Sequence, residues 1–161
     1  MRGYVVACVH HSDGSSALAD VAGERVYFEP PDFKNYDKAF RHWQIRVRVG
    51  EVDGARSLVL RDPFFASSLS EDLVFAGGFS FGAATAGAAS SRARGSKYKA
   101  AVLFDGWYHI YFEKYGIDID LPKEMHSKST SPDIPCLFVG SEAFEKQEKL
   151  NLKTKRVQVR A

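Results

Sequence analysis

The feature that most limits what this chain can become is Gly78-Phe79-Ser80-Phe81-Gly82, set between two runs of contrasting character. Before it, Leu73–Ala76 (LVFA) reads as a strand buried on both faces. After it, the alanine-rich run from Phe81 to Arg92 suits a helix of small residues that can lie close on a sheet. A G-x-S-x-G is expected by chance about 0.1 times in a chain of this composition, so the letters alone are a weak motif. The flanking strand and helix give them mechanical meaning. A serine on a one-residue turn between the two takes up a strained backbone and lifts its Oγ into the open. Side chains two positions to either side would collide across the turn, so both positions must be small. The helix that follows aims N–H groups and its positive end at a developing oxyanion, with the Phe81 N–H as one donor. A plainer reading stands beside this one: the glycines mark a tight βα turn in an unrelated α/β protein. There is neither a G-x-G-x-x-G nor a Walker-type lysine to suggest a nucleotide loop.

The rest of the chain continues the alternation. Tyr4–Val9 (YVVACV) reads as a first buried strand that ends in a loop at Asp13-Gly14. A helix is expected from about Asp32, its cap, to Leu60, with Phe33, Tyr36, Phe40, Trp43, Val47, Val52 and Leu58 near helical spacing. Gly50 and Gly54 predict a break toward its end. Ala101–Phe104 (AVLF) and Cys136–Val139 (CLFV) are further strands, and Gly106–Asp133 is loop with some short helix. A helix over Glu142–Leu150 and a last strand at Arg156–Arg160 complete the reading. Strand and helix in turn predict one α/β domain over residues 1–161, a mostly parallel sheet flanked by helices.

Composition narrows the function classes. The chain is 45% hydrophobic, enough to pack a core. A net charge of +2 gives no bulk attraction to nucleic acid. No run reaches the roughly 18 apolar residues of a membrane span. The N-terminus lacks the apolar stretch of a secretory signal, which favours a cytoplasmic location. Cys8 and Cys136 lie far apart, form no C-x-x-C and read as free, buried thiols. His10, His11 and Asp13 are a poor metal set, because adjacent residues at a strand end point in opposite directions. No metal and no cofactor are expected.

A serine nucleophile needs an acid and a base. Asp105 follows AVLF at a strand's C-terminal tip, the edge where α/β sheets bind ligands. It is either the acid that orients a histidine or the cap of a turn before Gly106. The base is missing from its usual place, since none of His10, His11, His42, His109 and His126 follows the final strand. Past Asp105, Trp107, Tyr108, Ile110, Tyr111 and Phe112 form an aromatic cluster that is core first and acyl pocket second. Arg92, Arg94, Lys97 and Lys99 read as a solvated helix end, with contact to anionic lipid as the lesser reading.

Four segments together resemble the platelet-activating factor acetylhydrolases of the plasma and intracellular type II group, which are α/β-hydrolases. VVACVHHSDGSSA is similar to that family's strand and E/H-H-x-D-x-S-A loop, and LVFAGGFSFGAAT to its nucleophile elbow. AAVLFDGWYHIYF resembles its acid-bearing strand with Asp-x-Trp, and IPCLFVGSEAF a later strand ending in Ser-Glu-x-Phe. The blocks stand in family order between Gly3 and about Phe144. Carried over by position, the resemblance implies Ser80 as nucleophile, Asp105 as triad acid, Phe81 as oxyanion donor and Trp107 as pocket wall. It implies cofactor-free hydrolysis of short or oxidised sn-2 acyl esters of phospholipids, at a membrane or lipoprotein surface. Another α/β-hydrolase esterase, or a hydrolase-like binding protein without activity, are the rival readings. Phe79 and Ala83 depart from the family, which has histidine and glycine there.

In that family an H-G-x-G oxyanion loop precedes the segment that here begins at Met1, and the catalytic histidine follows the strand that here reads KRVQVRA. The resemblance therefore implies a truncated α/β-hydrolase fold, inactive or nearly so as written. It also implies an unpartnered edge on the elbow strand and a tendency to aggregate.

Overall fold

The computed structural model describes residues 3–30, 38–90, 97–106 and 134–145. Asp32, Arg92, Arg94, Trp107 and its aromatic neighbours, His109, His126 and the strand expected at Arg156–Arg160 lie outside the described residues. The described residues form two sheets. β1 (Leu18–Val21) and β2 (Glu24–Tyr27) form an antiparallel hairpin, with Leu18 opposite Tyr27 and Val21 opposite Glu24. Its turn residues Ala22 and Gly23 both have positive φ, 53° and 90°, as a two-residue hairpin with right-handed twist requires. Asp20 Oδ1 accepts the Gly23 N–H at 2.9 Å and braces the turn. The sequence did not predict this hairpin, because Ala-Gly is a far weaker turn signal than Asn-Gly or Asp-Gly.

The second sheet is parallel, in the order β3-β4-β5: β3 (Phe75–Phe79), β4 (Ala100–Phe104) and β5 (Cys136–Val139). It carries the α/β character expected of the chain. β3 starts two residues later than the sequence suggested and runs through both glycines, while Leu73 lies in a 3₁₀ turn, Glu71–Leu73. The ladder with β4 extends from Phe75 opposite Ala100 to Phe79 opposite Phe104.

Two longer helices build on this sheet. α1 (Lys38–Arg61) is continuous through Gly50 and Gly54, so the expected break does not occur. α2 (Phe81–Ala89) packs on β3 and β4, and α1 packs on α2. Ile45 and Val49 of α1 join Ala83, Ala84 and Ala86 of α2 and Ala76, Ala101 and Leu103 of the sheet in one buried cluster. Alanines let the backbone of α2 approach the strands closely, which larger side chains would prevent. A four-residue helix, α3 (Glu142–Glu145), follows β5.

Three expectations need correction. Tyr4–Val9 forms no strand, and Tyr4 and Val6 are 79% and 81% exposed. A strand is stable only when a neighbour takes up its N–H and C=O groups, and no described segment pairs with this one. On α1, Trp43 and Leu58 of the expected apolar stripe face outward, and the buried stripe holds Arg41, Gln44, Ile45, Arg48 and Val49 instead. Of the two thiols, Cys8 is exposed and Cys136 is half-buried.

The sheet face turned away from α2 exposes Phe75, Phe79, Phe104, Leu137 and Val139. Parallel sheets are ordinarily covered on both faces, so this surface favours self-association. Among the described residues, no helix is long and apolar enough to cross a membrane.

The two α1 glycines lie in open space, with nothing within 4 Å of an added Cβ. Gly50→Ala and Gly54→Ala should therefore each stabilise the chain by about 0.5–1 kcal/mol, measured by denaturant unfolding, by restricting the unfolded state. A loss of stability from either would show that α1 is not continuous there.

Candidate active site

The site is built from the C-terminal ends of neighbouring parallel strands. Phe79 and Phe104 are register partners, so Ser80 and Asp105 are the next residues along adjacent strands. The Ser80 N–H extends the ladder by donating to the Phe104 carbonyl at 2.8 Å. At Ser80 the backbone turns sharply, with φ 55° and ψ −117°. A non-glycine residue held in such a region stores about 1–3 kcal/mol of strain. α2 begins at once: the Ser80 carbonyl accepts the N–H groups of Ala83 at 3.1 Å and Ala84 at 3.3 Å.

Gly78 makes this turn possible. A Cβ there would lie 2.1 Å from the Gly82 carbonyl oxygen and 2.7 Å from the Ala83 nitrogen, both backbone atoms that cannot swing aside. At Gly82 a Cβ would meet nothing within 4 Å. The steric demand is one-sided, which corrects the expectation that both glycines are needed. Phe79 and Ala83 fit without strain of this kind, since one side chain is exposed and the other is buried among alanines.

The Ser80 hydroxyl makes no hydrogen bond among the described residues, and the residue is half-buried. The Phe81 N–H likewise finds no acceptor there, as first-turn amides do not. Asp105 is 9% exposed and has φ 46°, a conformation that aspartate tolerates better than most residues. Its N–H donates to the Val139 carbonyl at 2.9 Å, and its Oδ1 accepts the Ser141 N–H at 2.6 Å. Oδ2 has no partner among the described residues. Asp105 thus ties β4 to the segment after β5.

No described histidine bonds Ser80 or Asp105. His10 is exposed, and His42 is buried on α1. His11 Nδ1 lies 2.7 Å from Glu51 Oε2, and Glu51 also accepts the Ser12 N–H at 3.0 Å. The loop after Tyr4–Val9 is fastened to α1 in this way.

A second fastening was not legible in the sequence. The Asp13 carboxylate is fully buried; its Oδ2 accepts Arg48 Nε at 2.5 Å, and its Oδ1 accepts the Ser15 N–H at 3.1 Å and the Ser15 hydroxyl. Gln44 Nε2 donates to the Asp13 carbonyl at 2.9 Å. Burial alone would raise the Asp13 carboxyl, but the Ser15 hydrogen bonds and the Arg48 guanidinium outweigh it and hold it below its ordinary value. The Cys136 thiol is pushed up to about 11 by burial, partly offset by a backbone hydrogen bond from Ala101.

Gly78→Ala should cost more than about 3 kcal/mol or abolish cooperative folding, while Gly82→Ala should stay within about 1 kcal/mol of wild type in thermal melts. Equal effects would contradict the hinge geometry. Asp13 titrates lower in the folded chain than in the unfolded one, so its contribution is complete above the unfolded value and is lost as pH falls through the folded one. Asp13→Asn should therefore destabilise by about 3–5 kcal/mol near neutral pH. In denaturant titrations its gap to wild type should close as pH drops below about 4. A gap independent of pH would show that Asp13 and Arg48 do not pair.

Neither a family model nor a curated protein matches this chain, so any assignment of function rests on the residues and geometry described above.

Proposed function

We propose that this chain carries the nucleophile and acid of a serine carboxylester hydrolase of α/β-hydrolase fold, resembling the platelet-activating factor acetylhydrolases. The observation that carries the reading is the left-handed backbone of Ser80 at a strand–helix hinge, one strand over from Asp105. A tight βα turn without catalytic purpose has no need of strain at a serine. The order and spacing of the four resembling segments favour a short or oxidised sn-2 acyl ester of a phospholipid as substrate.

In this reading Ser80 Oγ attacks the ester carbonyl carbon while its proton passes to a base. The tetrahedral oxyanion takes a hydrogen bond from the Phe81 N–H and lies near the positive end of α2. Collapse expels the lysophospholipid alkoxide, which takes the proton from the base, and leaves acyl-Ser80. Water then attacks the acyl carbon, giving the free acid and the serine. Asp105 Oδ2 would hold a histidine in its productive tautomer. No described histidine bonds Ser80, and without such a base its hydroxyl stays protonated.

Added imidazole can stand in for the base. The 161-residue chain is treated with a fluorophosphonate, with and without imidazole, and the adduct is located by peptide mass spectrometry. The expected adduct is on Ser80, forms at least about tenfold faster with imidazole and is absent from Ser80→Ala. No adduct under either condition, or one on another serine, would favour the hydrolase-like binding protein. Imidazole-supported turnover of acetyl over long-chain sn-2 phospholipids would support the proposed substrate class, and the opposite preference would favour a different esterase.

A further inference from the structure

A stripe of polar side chains lies where α1 would be expected to be apolar. Arg41, Gln44 and Arg48, three and four residues apart, are each more than nine-tenths buried, at 8%, 0% and 7% exposure. The two arginines converge on one aromatic ring. The guanidinium carbon of Arg48 lies 4.3 Å from the centroid of the Phe81 ring, and that of Arg41 lies 5.0 Å from it. Each is held in turn. Arg48 Nε is bound by the Asp13 carboxylate, and Arg41 Nη1 donates to Gln44 Oε1 at 2.6 Å. Gln44 is itself fixed on the Asp13 carbonyl.

Placing two guanidiniums in an interior costs several kcal/mol each before they are paired. Apolar side chains of similar volume would pack the same space without that cost. What the polar arrangement adds is direction: planar cations stack on a ring face in a fixed orientation, whereas aliphatic groups tolerate rotation. The ring they fix belongs to the residue whose N–H, free of any intrachain acceptor among the described residues, opens α2 beside Ser80. A hydrogen bond weakens steeply as its donor turns off axis, and an oxyanion donor is effective only if it is aimed before the charge develops.

We propose that Arg41, Gln44 and Arg48, anchored by Asp13, are positioning residues that aim the Phe81 N–H at the oxyanion. The inference rests on the esterase reading given above. It assigns to the Asp13 loop and α1 a role in transition-state stabilisation that neither performs by touching substrate.

The test uses the 161-residue chain with imidazole as base and p-nitrophenyl acetate as substrate, with Ser80→Ala as the blank. Arg48→Met keeps length but removes the planar cation. It should lower the imidazole-supported kcat by about 10- to 100-fold and leave KM within about twofold, because the ground-state ester makes no use of the aimed donor. Arg41→Lys keeps charge and stem and should fold where Arg48→Met does not; it should lower kcat by about three- to tenfold, again without raising KM. Asp53→Asn is the structural control, loosening the hold of α1 on Lys97 and Tyr98 without touching Phe81, and should leave kcat unchanged. Unchanged kcat in both arginine variants, a KM that rises in step, or an equal loss in Asp53→Asn would each overturn the proposal. Absence of Ser80-dependent turnover in the wild-type chain would instead overturn the esterase reading, and this inference with it.

Discussion

The arrangement turns on the near-contact between the Gly78 α-carbon and the Gly82 carbonyl, where no side-chain atom fits. That approach lets a strand become a helix within a single residue. The single residue is Ser80, and the strain of its left-handed backbone is sustained by what lies on either side: the β3–β4 ladder before it and the alanine-lined packing of α2 after it. Remove the close approach and α2 must move away from the sheet, taking the core of Ala83, Ala84 and Ala86 with it. Local geometry and global packing are thus one constraint, and the position of the hydroxyl is its by-product.

A second layer of order is electrostatic. The Asp13 loop has little apolar surface to hold it in place, and its burial depends on finding partners for a carboxylate and two serines. α1 supplies them through Arg48, Gln44 and Glu51. Such a network contributes less to stability than an apolar seam would, but it admits only one register between loop and helix. It links residues about 35 positions apart in sequence and ends on Phe81, beside the hinge. The exposed sheet face is the opposite case, with aromatic surface and no described partner to cover it.

Much of the central unit was legible in the sequence, because its signals are local. Cys136–Val139 is a run of apolar and β-branched residues with strand boundaries where the letters change, and the alanine run after Ser80 could hardly be anything but a close-packed helix. The one-residue turn followed from spacing and sterics, although only Gly78 proved to be sterically required. The failures have a common cause in long-range partners. Tyr4–Val9 has strand composition, but composition cannot show whether a neighbour is there to pair with it. The buried face of α1 was misassigned because Arg41, Gln44 and Arg48 look like a solvated stripe until Asp13 and Phe81 are brought against them. Ser141, which holds Asp105, gave no sign beyond its place in the Ser-Glu-x-Phe segment.

The most direct measurement is a crystal structure of the chain soaked with a short alkyl boronic acid, which forms a tetrahedral adduct with an exposed serine oxygen. The account predicts density continuous from Ser80 Oγ to boron, a positive φ at Ser80, and a boronate oxygen within hydrogen-bond distance of the Phe81 nitrogen. A Ser80 with negative φ inside a regular helix, or a boronate bound elsewhere while Ser80 is ordered and unmodified, would contradict it.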